Sequence, residues 1–192
     1  ITMSETEELT TDLFKGFNST DPDQLLAGLM RLFKTIASAK TFREDEIKYV
    51  DGSFLNVFSF PLIEGAPSLA EPKTLALSET MSRKLFGTDK AAGKTITVSN
   101  QFGNTPYTVK AVYKLPEGSD IKAEILLSLH TLESAANRDD NDWADPNTLE
   151  SGFTSIYLQL KKGVSSTNAA NNIISYIRSI NPGSKDDKVI LQ

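Results

Sequence analysis

The sequence predicts an α+β protein, a mixed sheet with packed helices that carries an inserted β-rich lobe. Apolar residues recur at helical spacing near both ends of the chain, as Leu25, Leu29, Leu32, Phe33 and Ile36 and again as Ala169, Ala170, Ile173, Ile174, Ile177 and Ile180. Between about residues 73 and 150 the apolar period is mostly two, with one short helical stretch. The lobes that follow are residues 1–72 with 151–192, an α+β lobe made from both chain ends, and residues 73–150, the β-rich insertion. No internal repeat is visible.

The elements follow in order. Residues 1–13 are rich in Thr and Glu, with few apolar side chains, and read as a loose entry segment. Asp21-Pro22-Asp23-Gln24 combines a capping carboxylate, proline at the first helical position and Gln three residues after the cap, so the first amphipathic helix starts there. Ile47 and Tyr49 alternate in a short strand, and Asp51-Gly52 turns the chain. Phe54, Val57, Phe58 and Phe60 then form a second strand or a helical turn, and Pro61 with Glu64-Gly65-Ala66-Pro67 closes the unit. Lys73 to Leu77 is a strand leading to Ser78, an N-cap for a helix with Met81 and Leu85 on one face and Gly87 at its left-handed end. A hairpin follows, Lys94–Ser99 with Ile96 and Val98 inward and Thr105–Tyr113 with Tyr107, Val109 and Ala111 on one side. Further strands are expected at Ile121–Leu127 and Phe153–Leu160, separated by a polar loop from Asn137 to Asn147. Ser165 or Ser166 caps the last helix, Asn181-Pro182-Gly183 stops it, and Lys188–Gln192 reads as a final strand.

Composition removes whole classes of function. With 192 residues the chain is long enough for one large domain or two lobes, burying about 70% of its unfolded surface. There is no cysteine, which excludes disulfide scaffolds, thiolate metal sites and cysteine nucleophiles. Lys plus Arg number 20 against 25 Asp plus Glu, a net charge of -5 and the wrong sign for tracking a phosphate backbone, so nucleic acid is not expected as a partner. No apolar run approaches the ~18 residues that span a bilayer. The start at Ile1-Thr2-Met3 has neither an initiator methionine nor a signal peptide, and reads as a cut in something larger.

Candidate chemistry is sparse. Gly87 to Thr95 looks like a phosphate-binding loop, but five residues separate Gly87 from Gly93 where four are needed. A helix precedes and a strand follows, the reverse of the order that aims a helix N-terminus at phosphate. Asp139, Asp140, Asn141, Asp142 and Asp145 suggest calcium, yet an EF-hand loop started at Asp139 puts Trp143 at the fifth ligand position and one started at Asp140 puts Ala144 there. The choices left are an irregular calcium site and a solvated loop anchored by its Trp. The single histidine, His130, rules out His-rich metal centres and most catalytic triads, and reads as a polar residue at a strand end or helix start. No catalytic, cofactor or metal residue is singled out.

Four phrases stand in a telling order: YVDGSFLNVFSFPLIEGAP from Tyr49, KTLALSETMSRKLFG from Lys73, AAGKTITV from Ala91 and YTVKAVYKLP from Tyr107. This run resembles the MacB-like periplasmic core domain of bacterial ABC transporter permeases of FtsX-like architecture. Phe58, Phe60 and Gly65, then Leu85, Phe86 and Gly87, then Gly93, Lys94 and Ile96 occupy the family's motif positions, which are structural. The resemblance implies a Porter-like α+β lobe with a Sabre-like insertion, placed between two membrane helices and facing the periplasm. It implies no cofactor, no catalysis, and a homodimeric parent working with an ABC ATPase subunit or domain. The domain would transmit ATP-driven movement to an exported substrate or a periplasmic adaptor. The alternative is a stand-alone periplasmic binding or enzymatic module that shares the fold.

Overall fold

A computed structural model describes residues 2–5, 41–148, 152–181, 183 and 189. The chain forms two compact units, Ile1–Thr154 and Ser155–Gln192. Among its described residues the first is built on eight strands: β1 (Thr2–Glu5), β2 (Thr41–Arg43), β3 (Ile47–Val50), β4 (Leu62–Gly65), β5 (Thr74–Ser78), β6 (Thr95–Asn100), β7 (Gly103–Tyr113) and β8 (Ile125–Ser128). Their order is β2-β1-β6-β7-β5-β8-β3, with β4 also paired to β7. The β3/β8 and β5/β7 pairs are parallel and the others antiparallel, so the sheet is mixed, as expected.

β7 is the spine. One of its edges carries β5 from Thr108 to Tyr113, and the other carries β6 up to Thr108 and then β4 from Ala111 onward. Between these the register on β5 jumps from Leu75↔Val109 to Ala76↔Ala111, leaving Lys110 as a bulge. The extra residue inverts the alternation. Tyr107, Val109 and Val112 face one core with Leu75, Leu77, Ile96, Ile125 and Leu127, while Ala111 and Tyr113 face the other with Phe60, Leu69, Ala76 and Leu126. The expectation that Ala111 shares a side with Tyr107 and Val109 is therefore corrected by the bulge. Both faces are covered, which is why Leu75, Ala76 and Leu77 are all fully buried in sequence.

Two helices do the covering. α1 (Phe54–Val57), a single turn, lays Leu55 on the second core, and α2 (Glu79–Phe86) lays Met81 and Leu85 on the first. Each fully buried Leu or Met contributes about 1.5–3 kcal/mol relative to exposure. α2 is bounded as its sequence predicts. Ser78 Oγ accepts the Met81 N–H at 2.9 Å, and Gly87 closes the helix at φ 70 with its N–H on Arg83 O at 2.9 Å.

Several expectations change. Residues 2–5 are not a loose entry but β1, with Met3 opposite Phe42 on one side and Val98 on the other; backbone pairing along both edges organises a segment whose composition gives little hint of it. Leu62–Gly65 is a strand, not only the end of a unit, because β7 offers it an open edge. The strand expected from Ile121 starts at Ile125, after Glu124 has given its N–H to Glu46 O at 2.8 Å. Phe153–Leu160 alternates in sequence but forms no strand among the described residues, since alternation shapes a face and only a paired neighbour makes it a strand.

The second unit contains α3 (Ser166–Ile180), preceded by Ser165 in extended conformation. Ala169, Ala170, Ile173, Ile174 and Ile177 are its less exposed residues, the predicted apolar face apart from Ile180, which is exposed at the helix end. The helix expected over Leu25–Ile36, with its capping box, lies outside the described residues, as does the expected strand at 188–192 apart from residue 189.

Candidate functional site

The sheet separates the motif positions into two groups. On one face Phe60 is buried with its ring 5.3 Å from Tyr113, and Phe58, at the end of α1, stacks 4.6 Å from Phe54. Gly65 ends β4 beside the bulge at φ 85, and its backbone approaches Lys110 O so closely that a Cβ would land on that oxygen. On the other face Leu85 and Ile96 are in the core and Phe86 packs against it, with Lys94 Nζ 4.5 Å from the Phe86 ring centroid. Gly93 sits at φ 85 in the turn before β6, its N–H on Val109 O at 2.8 Å. These positions form no single constellation.

The phosphate-loop lookalike resolves into a satisfied turn. Helix α2 enters it and strand β6 leaves it. Ala92 donates its N–H to Glu64 Oε2 at 2.9 Å, and Ser82 Oγ donates to Thr88 O at 2.7 Å. Arg83 is shared between Glu79 and Asp89, at 3.0 and 2.8 Å. A carboxylate of the protein already stands on a backbone N–H where a phosphate loop would offer it to a ligand.

The acidic loop is organised by a residue that the sequence reading passed over. Arg138 is buried and donates from Nη1 to Leu132 O at 2.7 Å and Glu133 O at 3.1 Å. Its Nη2 lies 3.1 Å from Asp145 Oδ2 and 3.7 Å from Asp142 Oδ1. Ala144 drops into a small core with Phe102 and Leu132, whereas Trp143 remains 52% exposed. The anchor is Arg138 with Ala144, not the Trp; an arginine placed four and seven residues before aspartates was the available signal. Among the described residues no group of three or more His, Asp or Glu side chains is placed to hold a metal ion. His130 lies at the start of a short 3-10 helix, Leu129–Glu133, with Nδ1 2.7 Å from Glu133 Oε1.

Around this loop runs an aromatic series. Tyr49 meets Phe102 edge-on at 5.8 Å, Phe102 lies 6.0 Å from Trp143, and Trp143 meets Phe153 edge-on at 5.7 Å. Beneath it Asn100 Nδ2 donates to Tyr49 Oη at 3.1 Å, and the Tyr49 and Tyr107 hydroxyls are 3.2 Å apart. Burial, with Tyr49 next, pushes the Tyr107 hydroxyl well above its ordinary range; Tyr113 is raised likewise by burial and then by Glu124. Ser53 hydrogen bonds hold the Asp51 carboxyl below the usual range.

A mixed sheet with a core packed on each of its faces defines an α+β domain. The chain belongs to the MacB-like periplasmic core domain family, which matches residues 7–176. That family is a domain of ABC transporter permeases. Among solved structures the chain is similar to a domain of a protein described as a permease from Porphyromonas gingivalis, at 21% identity and TM-score 0.52 over 77% of this chain; it spans 64% of that chain's length. It is also similar to the periplasmic region of MacB from Actinobacillus actinomycetemcomitans, at 13% identity and TM-score 0.47, covering 93% of this chain and 83% of that one. No curated protein matches. Among the described residues no helix is long and apolar enough to cross a membrane.

Proposed function

We propose that this domain works at the periplasmic face of the inner membrane as part of an ABC export permease, where it carries ATP-driven movement of the membrane helices to an exported substrate or periplasmic adaptor. The observation that carries the reading is the family match over residues 7–176. The fold suits a relay. Strands from before residue 51 join the same sheet as β5–β8, with β1 beside β6 and β3 beside β8, so a displacement entering there would be passed on by backbone hydrogen bonds. The parent would be a homodimer served by an ABC ATPase subunit or domain, and the nine motif positions would be structural supports of the relay.

The test uses full-length permease in membranes, with spin labels on single cysteines at the exposed positions Gln101 and Glu117 of the otherwise cysteine-free chain. Distances between protomers should change between nucleotide-free and ATP-trapped states. Identical distance distributions in both states would refute the relay. The division into a lobe of residues 1–72 with 151–192 and a lobe of 73–150 belongs to the same proposal. A kink at the boundary supports it, since Lys73 is held at φ 57 by its N–H on Thr131 Oγ1 at 2.8 Å. Limited proteolysis cutting near residues 72 and 150, with the pieces still held together by the shared sheet, is the expected result, and cutting confined to the neighbourhood of residue 154, where the compact units meet in sequence, would retire the division.

A further inference from the structure

We infer that the Trp143 loop is a docking face for a basic segment of a partner protein, one presenting Arg or Lys side chains. Trp143 is half exposed yet held: its Nε1 donates to Asn141 Oδ1 at 3.2 Å, and Phe102 and Phe153 pack at its sides. Asn141 is itself fixed, donating from Nδ2 to Gln101 O on the β6–β7 hairpin at 3.2 Å and to Arg138 O and Asp139 O at 2.7 and 2.9 Å. An indole oriented in this way loses little further freedom when a partner covers it.

The charge of the loop selects the occupant. Residues 137–148 hold one Arg against four Asp. Arg138 is turned inward, with Asp145 as its nearer carboxylate. Asp139, Asp140 and Asp142 are exposed, and the first two are fixed at φ 49 and 61. An exposed aromatic ring with three exposed carboxylates within four residues of it in the same loop attracts a guanidinium or ammonium twice, through the ring quadrupole and through the charges. A second copy of this chain would bring the same acidic loop against itself, in a protein of net charge -5, and is disfavoured by repulsion.

The only Trp of the chain is the reporter. The whole chain is titrated with short peptides alternating Arg with Gly, Glu with Gly, and Ser with Gly. The Arg peptide should change Trp143 fluorescence saturably, and binding should weaken with added salt. The triple variant Asp139→Asn, Asp140→Asn, Asp142→Asn, and separately Trp143→Ala followed by calorimetry, should each weaken binding about tenfold or more. All these substitutions are at exposed positions, and unchanged circular dichroism checks that the fold is kept. Equal responses to the Glu or Ser peptide, or undiminished Arg-peptide affinity in either variant, would overturn the inference. So would a dimer in sedimentation that the triple variant abolishes, without a peptide response, since the occupant would then be a second copy.

Discussion

Gly65 and Gly93 share φ 85 but differ in what surrounds them, which makes the pair a test of the β7 bulge. At Gly93 nothing lies within 4 Å of a built Cβ; at Gly65 the Cβ falls on Lys110 O and 2.8 Å from Ala111 Cα. Alanine in the left-handed region costs about 1–2 kcal/mol at either site. Only at Gly65 must backbone also move, a further ~1–3 kcal/mol by comparison with overpacked cores. The movement would stretch the bond from Ala66 N–H to Lys110 O, now 3.2 Å, adding ~1 kcal/mol for a typical hydrogen bond. Gly93→Ala should therefore lose about 1–2 kcal/mol and Gly65→Ala about 3–6 kcal/mol. Urea unfolding followed by Trp143 fluorescence reads the first unit, which contains the only Trp. The midpoints should separate at unchanged m-value. Equal losses, within about 0.5 kcal/mol, would mean that β4 does not press on the bulge and would refute the register described for β7.

Ser78→Ala should cost about 1 kcal/mol, the usual value of an N-cap, with a matching loss of helix signal in circular dichroism on heating. Tyr113 and Tyr107 have hydroxyls raised above the ordinary value near 10, so their contribution is complete below that pH and is lost as pH rises above it, when the unfolded tyrosines ionise first. Stability measured from pH 8 to 11 should fall only above about pH 10, and Tyr113→Phe should flatten part of the fall while costing about 1–2 kcal/mol at pH 8, since the Ala123 carbonyl loses the 2.6 Å bond it accepts from Tyr113 Oη. Arg138→Ala should cost about 2–4 kcal/mol, because two backbone carbonyls and Asp145 lose their partner, and Trp143 emission should shift red as its loop loosens. Arg138→Lys should recover only part of this, a lysine being unable to reach carbonyls and carboxylate with a planar fork.

The parts legible in the sequence are those decided within a few residues. Ser78, Met81, Leu85 and Gly87 specify α2 by themselves, through a cap, a face and a left-handed stop, and Ile96 with Val98 specify the buried face of β6. The bulge at Lys110 was hidden because it is imposed by β4 and β5, which reach β7 from more than thirty residues away, and nothing in Tyr107–Tyr113 marks where alternation must slip. β1 was hidden for the same reason, its partners being β2 and β6. In the acidic loop the Trp and the aspartates are the residues with conspicuous chemistry. Burial went to Arg138 and Ala144, because a long side chain with several donors satisfies a cluster of carbonyls that an indole N–H cannot.

That division also separates two kinds of defect. The pairings around β7 hold the sheet, so a substitution such as Gly65→Ala would lower stability and, if the sheet is the relay, would blunt movement whatever partner is present. The Trp143 loop meets the β6–β7 turn through Ala144 and Asn141 and is tied by Arg138 to the Leu132 and Glu133 carbonyls, and among the described bonds its exposed aspartates make none that holds β7 in register. Neutralising Asp139, Asp140 and Asp142 should leave the unfolding free energy within about 1 kcal/mol of the parent, the long 3.7 Å pairing of Asp142 with Arg138 being the one ion pair lost, and should leave nucleotide-dependent distances between protomers intact. A loss of those distance changes in the aspartate variant would show that recognition and relay are one machine rather than two, and would place the loop inside the moving part.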